Sequence, residues 1–159
     1  MTRIANRPTR APSTEAKRTT NPLQIAYARE ELARLNKLRA VYRAHVKEGK
    51  SQTAIAKDAG LSQAEVSRIV KRVSIAPQML DLSPGEVILQ FVAGDIGHHE
   101  MMEKLTHWPY SFARDAEPEN PLTVRTSGSW DEVTDAMHRG LVDYDDYDYL
   151  LERVRPPSA

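Results

Sequence analysis

Cysteine is absent from the 159 residues, which excludes disulfides, thiolate metal sites and cysteine nucleophiles together and fits a reducing cytoplasm. Glycine is scarce, with seven in all. Aromatic residues make up 6% of the chain, too little for a large sandwich, propeller or barrel. Long hydrophobic runs are missing too. The longest, VILQFVAG at Val87 to Gly94, falls far short of the roughly 20 residues that cross a bilayer, so no membrane role is expected. The opening MTRIANRPTR is basic and lacks the apolar segment of a signal peptide. There is no glycine-rich phosphate loop, no HExxH and no glycine-flanked serine nucleophile, so neither an enzyme nor a cofactor is expected.

What is present is a core-forming composition, 40% apolar and 28% charged, with a net charge of zero that hides a division. Up to Val73 there are 16 Lys and Arg against 6 Asp and Glu, a charge of +10; from Ser74 onward the counts are 6 and 16, a charge of −10. Such a split suggests a basic unit suited to nucleic acid and an acidic unit suited to something else.

Residues 1–20 carry five basic side chains and no apolar periodicity, and read either as a DNA-tracking arm or as an unstructured terminus. Asn21 and Pro22 then form a helix start, as cap and first helical residue. The following helix-permissive stretch ends at Gly49 and is one helix, or two with a joint near Asn36. Its stripe of Ile25, Ala28, Leu32 and Leu35 is expected to pair with a second copy in a homodimer, or to pack on the acidic part of its own chain.

Residues 49–73, GKSQTAIAKDAGLSQAEVSRIVKRV, are the most informative. Ser51 caps a short helix containing Ile55, Ala56 and Ala59; Gly60 ends it; Ser62 and Glu65 form a capping box for a second helix. Val66, Ile69, Val70 and Val73 give that second helix its buried stripe, facing Leu38, Val41 and Tyr42. In Ile55, Ala56, Gly60, Val66 and Ile69, residues 36–73 resemble the three-helix form of the helix-turn-helix family, as in resolvase-type and many bacterial regulator domains. The resemblance implies a prokaryotic or phage transcriptional regulator whose second helix enters the DNA major groove, presenting Ser62, Gln63, Ala64, Ser67, Arg68 and Lys71. Gln63 suits adenine and Arg68 suits guanine; Ala64 suits a thymine methyl. Lys50, Ser51, Ser62, Lys71 and Arg72 suit phosphates.

Residues 75–82 read as a linker, so the expected domains are 21–74 and 83–155. In the second, an internal repeat of offset 46 aligns Ser83 to Glu86 with Ser129 to Glu132, both reading as capping boxes, Gly94 with Gly140, and Leu105 with Leu151. It predicts two stacked helical hairpins burying Val87, Ile88, Phe91, Ile96, Leu105, Val133, Met137, Val142, Leu150 and Leu151. Trp108 and Tyr110 either anchor the intervening loop or face a partner. His99, Glu103 and His107 recur every four residues but lack a fourth metal ligand, so no metal is expected. The acidic helix places Tyr144, Tyr147, Leu151 and Val154 on one stripe and Asp143, Asp145, Asp146, Asp148 and Glu152 around it. That face is either solvated or the dock for a basic protein partner.

The expected architecture is therefore all-α: a helix-turn-helix domain followed by a small domain of two repeated hairpins. The expected function is sequence-specific binding of double-stranded DNA by a cytoplasmic, nucleoid-associated repressor. By architecture alone it is akin to antitoxins that repress their own operon. The rival readings are an adaptor that keeps the fold only as a scaffold, and an accessory factor that binds DNA without sequence preference.

Overall fold

The computed structural model describes residues 21–114 and 128–156. The basic arm expected over 1–20, and most of the polar stretch after Arg114, lie outside the described residues. Among these residues seven α-helices follow one another: α1 (Pro22–Val46), α2 (Gln52–Ala59), α3 (Gln63–Ile75), α4 (Pro84–Ala93), α5 (His98–Thr106), α6 (Ser129–His138) and α7 (Tyr144–Val154). There is no strand among the described residues, and the fold is all-α. Among the described residues no helix is long and apolar enough to cross a membrane. The chain divides into two compact units, Thr20–Ile96 and the described residues from Gly97 onward.

In the first unit, α1 is one uninterrupted helix, started by the Asn21 side chain, which accepts from the Leu23 N–H, and by Pro22. Its C-terminal half packs with α2 and α3 around Val41, Ile55, Ala56 and Val66, with Ala59, Leu61, Ile69 and Val70 closing the cluster. Ala56 is small where the helices cross, which lets them approach. Gly60 takes φ +66°, the left-handed region that a side chain resists, and so turns the chain from α2 into α3.

The N-terminal half of α1 does not wait for a second copy. Ala28 and Leu32 are buried against Ala93, Leu89 and Val92 of α4 in the same chain. Two residues of the stripe expected to form a homodimer, Ala28 and Leu32, are covered from within, while Ile25 and Leu35 are half-buried. The cause is visible on both helices. Continuing the spacing of Ala28, Leu32 and Leu35 brings up Arg39, and Glu86, Leu89 and Ala93 lie on one face of α4. Arg39 meets Glu86 in a two-pronged ion pair, Nη1 to Oε1 at 2.7 Å and Nη2 to Oε2 at 2.6 Å, and its Nε donates to the Leu80 carbonyl at 3.0 Å. This pair raises the Arg39 pKa, chiefly through the Glu86 hydrogen bond. Residues 75–82, expected as a linker, instead include a short 3-10 turn, Pro77–Leu80, packed on α1 and α3 inside this unit. The capping box expected at Ser83 is half formed: Ser83 accepts from the Glu86 N–H, while the Glu86 carboxylate is engaged by Arg39.

The expected first hairpin is thus divided, with α4 in one unit and α5 in the other. The 46-residue repeat survives in the turns. Asp95 N–H donates to Gln90 O and Gly94 N–H to Phe91 O; at the same offset Leu141 donates to Ala136 and Gly140 to Met137. The caps of α5 and α7, Gly97 and Asp143, keep that offset as well. The start of α6 does not. Gly128 is the cap, its N–H donating to Asp131, and Ser129 is instead hydrogen-bonded to Ser111. A side chain at Gly128 would collide with the backbone of Ser111 and Phe112. Of the expected core, Val87, Ile88, Leu105, Val133, Val142 and Leu150 are buried, whereas Phe91, Ile96 and Met137 are half-buried and Leu151 is exposed.

Candidate nucleic-acid interface

The face of α3 opposite its core is set by helical spacing. Val66 and Val73 are fully buried and Ile69 and Val70 partly so. Gln63, Ala64, Ser67, Arg68, Lys71 and Arg72 are all exposed. Ala64, Ser67, Arg68 and Lys71 follow one another at spacings of three, one and three, so they form a single strip with no apolar interruption until Ile75, which is 76% exposed. Ile75 was not singled out from the sequence. Its spacing from Arg68 and Lys71, seven and four, was the available signal.

The start of the helix is held firmly. The Ser62 N–H and hydroxyl both donate to Glu65 Oε2, at 2.7 and 2.8 Å, and the Glu65 N–H donates back to Ser62 Oγ at 3.2 Å. These bonds lower the Glu65 pKa, with Arg68 and Lys37 adding their charge. Ser62 therefore spends its side chain on the cap. Ser51 likewise caps α2 by accepting from Ala54 N–H, while Lys50 beside it is exposed and pairs with Glu48 at 3.5 Å. What the exposed residues of α3 offer chemically is the Gln63 amide, the Ser67 hydroxyl, the Arg68 and Arg72 guanidinium groups, the Lys71 ammonium and the small apolar Ala64, a set that can read base edges and hold phosphates.

The residues expected to face a protein partner separate into two groups. Tyr144, Asp145 and Asp148 are exposed, Tyr144 by 70%. Tyr110, Tyr147 and Asp146 point inward. Tyr110 donates to the Leu105 carbonyl at 2.8 Å and meets Trp130 edge-on at 5.0 Å, which makes it an anchor. Tyr147 packs on the same Trp130 at 5.7 Å and shares a hydrogen bond with Thr134. Asp146 is buried because His98, on α5, meets it at 2.7 Å. Trp108 is half-buried. The inward stripe of α7 is accordingly Asp146, Tyr147, Leu150 and Val154, displaced by a residue from the stripe through Tyr144 and Leu151.

No protein-family model, curated protein or solved structure matches this chain. The functional reading therefore rests on the geometry and chemistry of the residues themselves.

Proposed function

We propose that this chain is a sequence-specific double-stranded DNA-binding regulator, a repressor, in which the second half of α1 with α2 and α3 forms a helix-turn-helix and α3 is the reading helix. The observation that carries the proposal is the strip of Ala64, Ser67, Arg68 and Lys71 on a capped helix whose other face is locked in the core. Arg68 and Gln63 read bases; Lys50, Lys71 and Arg72 hold the phosphate backbone. Two copies on a two-fold site with half-sites about 10 base pairs apart belong to the same proposal, joined through residues other than Leu32. The exposed Tyr144, Asp145 and Asp148 are proposed to face a basic protein partner.

The test begins with selection of a duplex from a random pool. On the selected site, Arg68→Ala and Gln63→Ala should each lower affinity by about 1–3 kcal/mol and relax preference at one base position. Lys71→Ala should weaken all duplexes alike and flatten the salt dependence. An unchanged affinity for Arg68→Ala would remove α3 from the groove. A pool that yields no preferred sequence at physiological salt would favour the non-specific accessory factor, and no retardation at all would favour the adaptor.

A further inference from the structure

A second surface of the first unit has the form of a small-molecule site. Between α1 and α2 lies an open cleft of about 540 Å³, within the usual range of roughly 300–1,000 Å³ for ligand pockets. Its floor is Ala40, Val41, Ala44, Ile55 and Ala59. The cleft exists because three of those five side chains are single methyl groups where larger ones would fill the space between the helices. The 47–51 loop reverses the chain, so the order of residues along the two helices brings Asn36 and Lys37 of α1 to the same end as Asp58 of α2. The other end is closed by the Glu48–Lys50 ion pair at 3.5 Å. That pair is internally neutral.

The end with Asn36, Lys37 and Asp58 is chemically different. Their side chains enter no hydrogen bond or ion pair among the described residues, although all three line the cleft. One cation, one anion and one neutral amide therefore stand open beside an apolar floor. We infer that the cleft binds a free α-amino acid with a long apolar or aromatic side chain. Its ammonium lies on Asp58, its carboxylate on Lys37 and the Asn36 amide, and its side chain runs over Ala40, Ala44 and Ala59. A simple amine or a simple acid satisfies one rim charge and leaves the other unmet, so neither matches the site equally well. Rim charges in water contribute modestly, so a ligand of about a dozen heavy atoms binds with a dissociation constant on the order of a millimolar. Lys37 is also among the charges felt by Glu65, the capping residue of α3, so a carboxylate on Lys37 alters the field at the start of that helix.

The experiment uses the intact chain without DNA, so its result is independent of the proposed DNA-binding role. Protein with labelled alanine methyls and backbone amides is titrated by NMR with L-leucine, L-methionine, L-phenylalanine and L-tryptophan, then with phenethylamine and 3-phenylpropionate, each to about 10 mM. Saturable shifts are expected for the methyls of Ala40, Ala44 and Ala59 and for the amides of Ser62 and Glu65, with the amine and the acid binding about threefold more weakly. Asp58→Asn and Lys37→Gln, both on exposed side chains, should each weaken L-phenylalanine about threefold while leaving the melting temperature unchanged. Absence of saturable shifts with all four amino acids overturns the proposal. So does equal binding of L-phenylalanine, the amine and the acid, and so do Asp58 and Lys37 variants that bind as the parent does.

Discussion

Replacing Arg39 by methionine would remove a cation whose side chain is only 21% exposed and leave the Glu86 carboxylate, 6% exposed, without its partner. Both prongs of the pair are lost, at 2.7 and 2.6 Å, and the Leu80 and Asp81 carbonyls lose donors at 3.0 and 3.3 Å. Breaking a buried pair from one side costs about 3–5 kcal/mol. Because a fifth of the Arg39 side chain is open to water, which can enter beside the orphaned carboxylate, the lower end applies, about 3 kcal/mol. Replacing both partners, as Arg39→Met with Glu86→Leu, removes the desolvation of both charges along with their attraction, and should return to within about 1 kcal/mol of the parent. Urea unfolding followed by circular dichroism gives the four free energies of the cycle at fixed protein concentration. Hydrogen exchange adds the location: Arg39→Met should speed exchange in α4 before α6 or α7, because the pair ties α4 to α1. A cost below about 1 kcal/mol for Arg39→Met, or a double variant no better than the sum of the single ones, would refute the account of α4 as held by this pair.

Leu32→Ala should cost about 2–4 kcal/mol, since Leu32 is buried against α4. Its unfolding midpoint should respond to protein concentration as the parent's does; a concentration dependence in the parent that Leu32→Ala abolishes would contradict the packing. Tyr110 is kept protonated by burial, with its pKa raised. A raised folded pKa means that the stabilisation is present below the unfolded phenol value of about 10 and is lost as pH climbs past it. Tyr110→Phe should lower stability by about 1 kcal/mol at neutral pH, through the lost bond to Leu105, and should blunt the alkaline loss; an unchanged alkaline profile in thermal melts would refute this.

The parts legible in the sequence were those decided within three or four residues. Asn21 with Pro22, Ser51, Gly60, and Ser62 with Glu65 all set helix ends where their chemistry demanded, because a cap needs only its own first turn. The glycines at 94 and 140 ended helices for the same local reason, each at positive φ. What escaped depended on distant partners. Arg39 sat on an apolar stripe, a local anomaly whose meaning lay 47 residues away in Glu86. Asp146 looked like one more solvated acid until His98, 48 residues earlier in the chain, supplied its compensation. Ser129 looked like a cap, but Ser111 claims its hydroxyl and Gly128 takes the cap because only glycine fits against the Ser111 backbone. The exposed strip of α3 was legible because burial on one face of a short helix fixes the opposite face. The cleft beside α2 was not, since single alanines on two helices give no sign that they face one another.

The double service of α1 limits where this chain can be cut. Its charge changes sign near Ser74, which makes that point the obvious place to separate a basic fragment from an acidic one. A fragment ending there would keep α1 to α3 but strip α4 from Ala28 and Leu32, leaving half of a 25-residue helix with its apolar side in water. Two such fragments would cover each other, and the dimer recovered in the laboratory would be a product of the scissors. A fragment that ends after Ile96 keeps α4 on α1, and it is the smallest piece in which the first unit stands as it does in the parent chain.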